Sequence, residues 1–465
     1  MISTQLWQLG ARELADGIRK RSFSSVEAVQ AHLDRIDQVN GSLNALTRVL
    51  KEEALTAASE VDAGLARGES AGPLAGVPFT VKENIDLAGT PTTWGVAALA
   101  GAEAPIDAPQ VANLREAGAI AIGRSNMPDF ALRWHTDNGL HGATVNPFDR
   151  SLTPGGSSGG EAVALATGMT PLGLGNDLGG SLRWPAQCCG IASIRPTLGR
   201  VPSATVIEPI DPPIGMQLMN AQGPMARRVE DLRLALQLMC RPSDRDPWYV
   251  PAPLGSRDNG QLRVAVVRDP AGGGVEPSVA EAVDIAARAL REAGHTVADA
   301  EPPGVAEAAQ GWGALIAADL ERMTPIIQQL GCPDANRFLE IAGQAMPAPS
   351  PEAYSLAFTG RHGLLRAWAE FFKTYDVVLA PIATMPAFPV GADLDPTGAG
   401  TFVAALRMVV AVNYLGLPSA AVPLGDSPAP QAVQLIGHRY REDFCLDAAE
   451  AVEGVLGVRA PIDPR

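Results

Sequence analysis

Three short segments concentrate the residue types that bond-breaking chemistry needs. Gly76-Val-Pro-Phe-Thr-Val-Lys82-Glu-Asn-Ile-Asp ends an apolar run on a lysine. Thr153-Pro-Gly-Gly-Ser157-Ser158-Gly-Gly sets two serines among four glycines. Gly175-Asn-Asp177-Leu-Gly-Gly180-Ser181-Leu-Arg183-Trp-Pro-Ala sets a further serine behind Leu-Gly-Gly. Glycines reach backbone angles closed to other residues. Consecutive N–H groups in such a loop can form an anion-binding concavity that runs into a helix N-terminus. A serine on the loop can attack a carbonyl if a base takes its proton. A lysine is such a base when it is neutral, and burial favours the neutral form. Each segment alone also has a plainer reading. GGSSGG suits a flexible turn, and it lacks the G-x-x-x-x-G-K-[ST] spacing of a phosphate loop. Ser181 suits an ordinary Gly turn and is not in a G-x-S-x-G elbow. Lys82 suits a solvated strand end.

The elements around these segments alternate. Val26, Val29, Leu33, Ile36 and Val39 share one helical face, opened by the capping box Ser24-x-x-Glu27. The next stretch, LNALTRVLKEEALTAASEVDAGLARG, also reads as helical, which predicts a helical lead-in over about 1–65. Short apolar runs at 77–81, 119–123, 171–175, 263–267, 376–380, 419–423 and 432–436 read as strands. Helices are expected at 109–117, after the Gly-rich loop at 154–160, near 279–294 and near 442–456. The pattern predicts an α/β fold with a mixed, mostly parallel sheet covered on both faces. A single domain spanning 1–465 is expected, with core motifs at about 76–230 and the remaining α/β portion at about 260–465. Residues 241–260 are the best linker candidate, or equally a surface loop.

Bulk properties narrow the partners. The chain has 36 basic and 51 acidic residues among 465, a net charge of −15. Such a surface repels nucleic acid and anionic lipid, so neither is an expected partner. No window holds about 18 uninterrupted apolar residues, so no transmembrane segment is expected. The N-terminus lacks a basic then apolar leader. The odd set Cys188, Cys189, Cys240, Cys332 and Cys445, without a CxxC, reads as reduced thiols in a cytoplasmic protein with no metal and no cofactor.

Taken together, the three segments resemble the amidase signature family, the Ser–Ser–Lys hydrolases. The serines stand 24 residues apart and the lysine 75 residues upstream of Ser157. Further likeness lies in Gly123-Arg-Ser125-Asn126-Met-Pro-Asp-Phe, Asn146-Pro, Gly223-Pro-Met-Ala-Arg-Arg, Asp376-Val-Val-Leu-Ala-Pro381, Asn413-Tyr-Leu-Gly-Leu-Pro418, Gln434-Leu-Ile-Gly and Pro461-Ile-Asp-Pro. The chain departs from the usual pattern at Glu83, where Asp is common. It departs again at Ser193 and Arg195, in Arg195-Pro-Thr-Leu-Gly-Arg, where Gly-x-Lys-Pro-Thr is usual.

The resemblance implies roles. Ser181 is the expected nucleophile, with Ser157, behind a cis peptide bond, bridging it to Lys82. The backbone N–H groups of Leu178, Gly179, Gly180 and Ser181 are the expected oxyanion hole, with Asp177 and Arg183 orienting the loops. A Ser-His-Asp triad using His135 or His141 competes poorly. Trp94, Trp134 and Trp184 lie near the motifs and suit either pocket or core. Residues 201–222 are Pro-rich and apolar, which predicts a loop near the site. Ile207, Ile210, Ile214 and Met216 are its pocket candidates, with Trp134. The expected substrate is a small neutral aryl or alkyl amide, extending to carbamates (urethanes) and esters, with anilides and aryl carbamates cleaved fastest. The alternatives are a glutamine-hydrolysing amidotransferase A-type subunit and a catalytically inactive binding module. A monomer or homodimer is expected.

Overall fold

Runs too short for helices and apolar on both faces become buried strands, and the longer amphipathic runs become the helices that cover them. The computed structural model describes residues 5–207, 211–256, 260–425 and 429–465. Among these, the strands are β1 Leu46–Val49, β2 Pro78–Lys82, β3 Ile120–Ser125, β4 Leu172–Asp177, β5 Ala192–Arg195, β6 Ala221–Ala226, β7 Arg263–Val266, β8 Thr296–Asp299, β9 Val377–Pro381, β10 Ser419–Pro423 and β11 Ala432–Gly437. All belong to one sheet in the order β1-β3-β2-β4-β6-β5-β10-β11-β9-β7-β8. The sheet therefore runs through both the motif-bearing portion and the portion after residue 260.

Alternation along β2 shows how the sheet sorts its side chains. Phe79 and Val81 enter an apolar layer with the helices Pro109–Glu116 and Val229–Met239. Thr80 and Lys82 point to the opposite face, where the helix Gly159–Ala166 lies. That face forms a second apolar layer, which includes the helix Ser25–Leu43 and residues of Val305–Leu330. Helices cover both faces, as expected.

Three expectations need correction. The sheet is mixed but not mostly parallel. β2–β3, β2–β4, β7–β8 and β7–β9 are parallel, whereas β1–β3, β4–β6, β5–β6, β5–β10, β10–β11 and β9–β11 are antiparallel. Strands buried on both faces read as continuous apolar runs whatever their direction, so direction is not legible in them. The connection 424–431 between β10 and β11 is too short for a parallel crossover, which needs a dozen or more residues. The helical lead-in is interrupted by β1, which pairs with β3 at the sheet edge. Within 201–222, Ile214–Met219 is a short helix rather than loop, because Pro213 sits at its N-cap and leaves the helix interior free of proline. The described residues of the 241–260 stretch, 241–256 and 260, take the surface-loop alternative. Val250 N–H donates to the Gly199 carbonyl at 2.8 Å, and the Trp248 indole N–H donates to Gln217 at 3.0 Å.

Candidate active site

Parallel neighbours end at the same side of a sheet, so Lys82 at the end of β2 and Asn176-Asp177 at the end of β4 meet there. Ligands in open α/β sheets bind outside such strand ends. Two loops complete the site. The first, carrying Ser157, precedes the helix Gly159–Ala166, and the second, carrying Ser181, precedes the helix Arg183–Cys189. The peptide bond Gly156–Ser157 is cis, as the resemblance implies. A Cβ on Gly156 would lie 2.5 Å from the Arg133 carbonyl oxygen, so the backbones approach as closely as only glycine permits.

Lys82 is fully buried. Its Nζ donates to Ser157 Oγ at 2.7 Å and to Asn176 Oδ1 at 2.9 Å. Burial pushes its pKa from 10.5 to about 7, against the opposing pull of Asp177 and Glu161. The three motifs give no reason to expect a second carboxylate in this position. Glu161 accepts hydrogen bonds from Thr80 and Ser125, the residues beside and across from Lys82 in the strands. Burial pushes the Glu161 carboxyl up to about 7, although those donors and Lys82 pull it down. A lone Glu in the apolar run Gly159–Ala166 is the one signal of it in the sequence.

The loop Leu178–Ser181 is held from several sides. Asp177 Oδ1 accepts the Gly180 N–H at 2.8 Å, and Asp177 Oδ2 accepts the Leu182 N–H at 3.2 Å. Arg183 grips Asp177 with two nitrogens, each at 3.0 Å, and Asn413 Nδ2 adds a bond of 2.7 Å. Burial alone would raise the Asp177 pKa, but Arg183, Arg195 and Asn413 outweigh it and hold the carboxylate well below its usual range. On the other side Trp312 Nε1 donates to the Leu178 carbonyl, and Trp134 Nε1 to the Gly179 carbonyl, both at 2.9 Å. Trans peptide geometry then aims the Gly179 N–H away from Trp312. The same geometry corrects the expected oxyanion set. The Gly180 N–H turns to Asp177, whereas those of Leu178, Gly179 and Ser181 meet no acceptor among the described residues. Gly180 has φ +99°, which favours glycine.

Ser157 and Ser181 line one cavity of about 360 Å³. No hydrogen bond joins their hydroxyls among the described residues. Trp94, Phe130, Trp134, Trp312, Phe338 and Met216 contribute much of its apolar lining. Trp134 lies 6.4 Å from Trp312 and 6.1 Å from Phe338, the latter edge-on. Of the other pocket candidates, Ile207 and Ile214 do not line the cavity, and Ile214 is 42% exposed. The helix Ile214–Met219 explains this, since Met216 turns inward as Ile214 turns out. Ile210 lies outside the described residues. Trp184 is core, with its indole N–H on the Trp134 carbonyl. His135 is buried against Thr153, and burial lowers its pKa to about 4. His141 lies 3.5 Å from Glu83, and neither histidine is hydrogen-bonded to Ser181. Among the described residues no group of three or more His, Cys, Asp or Glu is placed to hold a metal, and no helix is long and apolar enough to cross a membrane.

A mixed sheet carrying a buried lysine–serine pair at its strand ends, under an aromatic cavity, defines an enzyme of amide C–N hydrolysis. The family model described as Amidase matches residues 27–446, and the chain belongs to the amidase signature family. It is 43% identical, over 98% of its length and 88% of the relative's, to an indoleacetamide hydrolase of Bradyrhizobium diazoefficiens. It is 33% identical to the A-type subunit of the glutamyl-tRNA(Gln) amidotransferase of Moorella thermoacetica, covering 97% of each chain. Among solved structures, a bacterial aryl acylamidase of the family superposes with a TM-score of 0.82 at 26% identity, covering 97% of both chains.

Proposed function

We propose that this enzyme hydrolyses neutral amides whose acyl part carries an aromatic or alkyl group, with an indoleacetamide-type substrate favoured. The observation that carries this reading is the Lys82–Ser157 contact of 2.7 Å in a cavity walled by Trp134, Trp312 and Phe338. The similarity to an indoleacetamide hydrolase supports the aromatic acyl group. Neutral Lys82 takes the proton of Ser157, and Ser157 takes that of Ser181. Ser181 Oγ attacks the carbonyl, and the N–H groups of Leu178, Gly179 and Ser181 receive the oxyanion. Each donor of this kind is worth roughly 3 kcal/mol. The C–N bond breaks as Ser157 returns a proton to the nitrogen, and water hydrolyses the resulting ester. Aryl carbamates and esters present the same electrophile and enter the same route. Asp177, gripped by Arg183, positions the loop rather than touching substrate.

The similarity to amidotransferase A-type subunits favours glutamine as a second reading. The test measures kcat/KM for indoleacetamide, a neutral anilide, an aryl carbamate and glutamine, with fluorophosphonate labelling of the wild type and Ser181→Ala. Indoleacetamide turning over well, with labelling lost in Ser181→Ala, is the expected result. Glutamine turning over best, or Ser181→Ala still labelled and active, refutes the proposal. A protein that neither labels nor turns over any substrate is the inactive binding module.

A further inference from the structure

The cavity around Ser181 has two unlike walls. One is aromatic and braces the carbonyls of Leu178 and Gly179. The other lies at the ends of β4 and β6 and is built of side-chain amides: Asn84, Gln110, Asn176 and Gln222. Asn176 stands directly opposite Gln222 in the antiparallel pair, so their side chains project from the same face as neighbours. Asn176 Oδ1 accepts from Lys82, and its Nδ2 donates to Asn84 Oδ1 at 2.9 Å. Gln222 Nε2 donates to Ser203 Oγ at 3.1 Å, and Gln222 Oε1 accepts from Gln110 Nε2 at 3.3 Å. The row ends on Gln110, which is 2% exposed and whose Oε1 has no partner among the described residues. A buried acceptor of this kind favours any donor that reaches it.

We propose, on the basis of the Ser–Ser–Lys reading above, that this amide row is the leaving-group subsite and selects primary amides and small amines over anilides. Proton flow fixes the direction. The departing nitrogen takes its proton from Ser157, whose other neighbour is Lys82, and Lys82 is held by Asn176. The nitrogen therefore leaves toward the row, and the acyl group, on the other side of the same carbonyl, faces the aromatic wall. Ammonia or a small amine brings N–H donors to Gln110 and Gln222. An aniline ring brings none beyond its own nitrogen, and it would cover the amides without pairing them, which is the stronger form of discrimination.

The experiment uses two substrates that share one acyl group, indoleacetamide and its N-phenyl anilide. The ratio of their kcat/KM values is measured in the wild type, Gln110→Met, Gln222→Met and Gln110→Glu. Methionine keeps length and removes hydrogen bonding, so each Met variant is expected to lower the amide-to-anilide ratio about five- to tenfold. Gln110→Glu, which burial favours as the neutral acid, keeps an O–H donor toward Gln222 and a carbonyl acceptor, and is expected to hold the ratio within about twofold of wild type. A purely structural role would depress both substrates together and leave the ratio fixed. Should Gln222→Met not fold, Gln110→Met carries the comparison alone. An unchanged ratio in the folded Met variants overturns this inference while leaving the function intact. A wild type that hydrolyses neither substrate overturns the function and this inference with it.

Discussion

Lys82→Met tests the central electrostatic claim, because it separates what the lysine does for catalysis from what it costs the fold. The folded chain releases the Lys82 proton at about 7 and an ordinary lysine does so at 10.5. Between those values the unfolded chain holds more protons, so this group makes stability rise with pH. The whole difference corresponds to about 5 kcal/mol at roughly 1.4 kcal/mol per tenfold. Below pH 7 the full penalty acts, and at pH 9 about 3 kcal/mol of it has been relieved. Methionine is apolar, unbranched and of similar length, so it escapes this penalty. It also leaves Ser157 and Asn176 without their donor, at about 1–3 kcal/mol each. The two costs nearly cancel at pH 6, so the sign there is not the test. The test is the pH dependence of the gap. Urea unfolding of both proteins at pH 6 and pH 9 should show wild type gaining about 3 kcal/mol on the variant between them. Turnover of the variant should fall by roughly 10²–10⁴, the usual worth of a positioned base. A gap constant within 1 kcal/mol, or turnover within tenfold of wild type, refutes a buried lysine that must lose its proton to work.

Three further outcomes follow from the same geometry. The acid limb of kcat/KM for an amide should rise through about pH 7, the value for Lys82, leaving roughly a tenth of the plateau near pH 6; a maximum near pH 5 contradicts it. Asp177→Asn should lose about 3–5 kcal/mol of stability in urea, since it strips Arg183 of its buried charged partner, and should slow fluorophosphonate labelling because the amide keeps one acceptor oxygen and sets its NH2 against either the Gly180 or the Leu182 N–H; normal labelling in a folded variant contradicts it. Trp312→Ala should raise KM for an aromatic amide about tenfold or more, whereas Ile214→Asp, at an exposed position, should leave kcat/KM within about twofold, as stopped-time assays would show.

The readable and unreadable parts of this chain divide on physical grounds. That Lys82, Ser157 and Ser181 would be brought together was legible because each sits in a contiguous segment whose composition announces a constrained backbone, and because their order and spacing match a family. Helix boundaries such as Glu442–Leu456 and strands such as Ser419–Pro423 were legible from period and turn residues. Strand direction was not, since β9, β10 and β11 are buried on both faces and look alike in either orientation. β1 hid inside a helix-rich stretch because four residues, LTRV, carry too little pattern to declare a strand. The Ile214–Met219 helix hid behind Pro212 and Pro213, which break a helix from within but start one from its end.

The substrate wall shows why function was harder to read than chemistry. Lys82, Ser157 and Ser181 come from three short segments, at the ends of the parallel strands β2 and β4 and on the loops beside them, so local sequence nearly determines their meeting. The wall that chooses a substrate comes from elements far apart in the chain: Trp134 after β3, Gln222 in β6, Trp312 and Phe338 on two helices beyond residue 300. Trp134 alone was marked, by its place near the motifs; nothing local marks the others, because a buried Trp or Gln looks the same whether it fills a core or faces a cavity. Position makes the difference. Trp312 and Trp134 donate to the carbonyls of Leu178 and Gly179, so the residues of the aromatic wall also hold the loop that bears Ser181. Changes of substrate at this wall are therefore coupled to the geometry of the attacking loop. On the proposed reading, that coupling restricts which aromatic positions can vary without loss of rate, and it leaves the amide row across the cavity freer to set the leaving group.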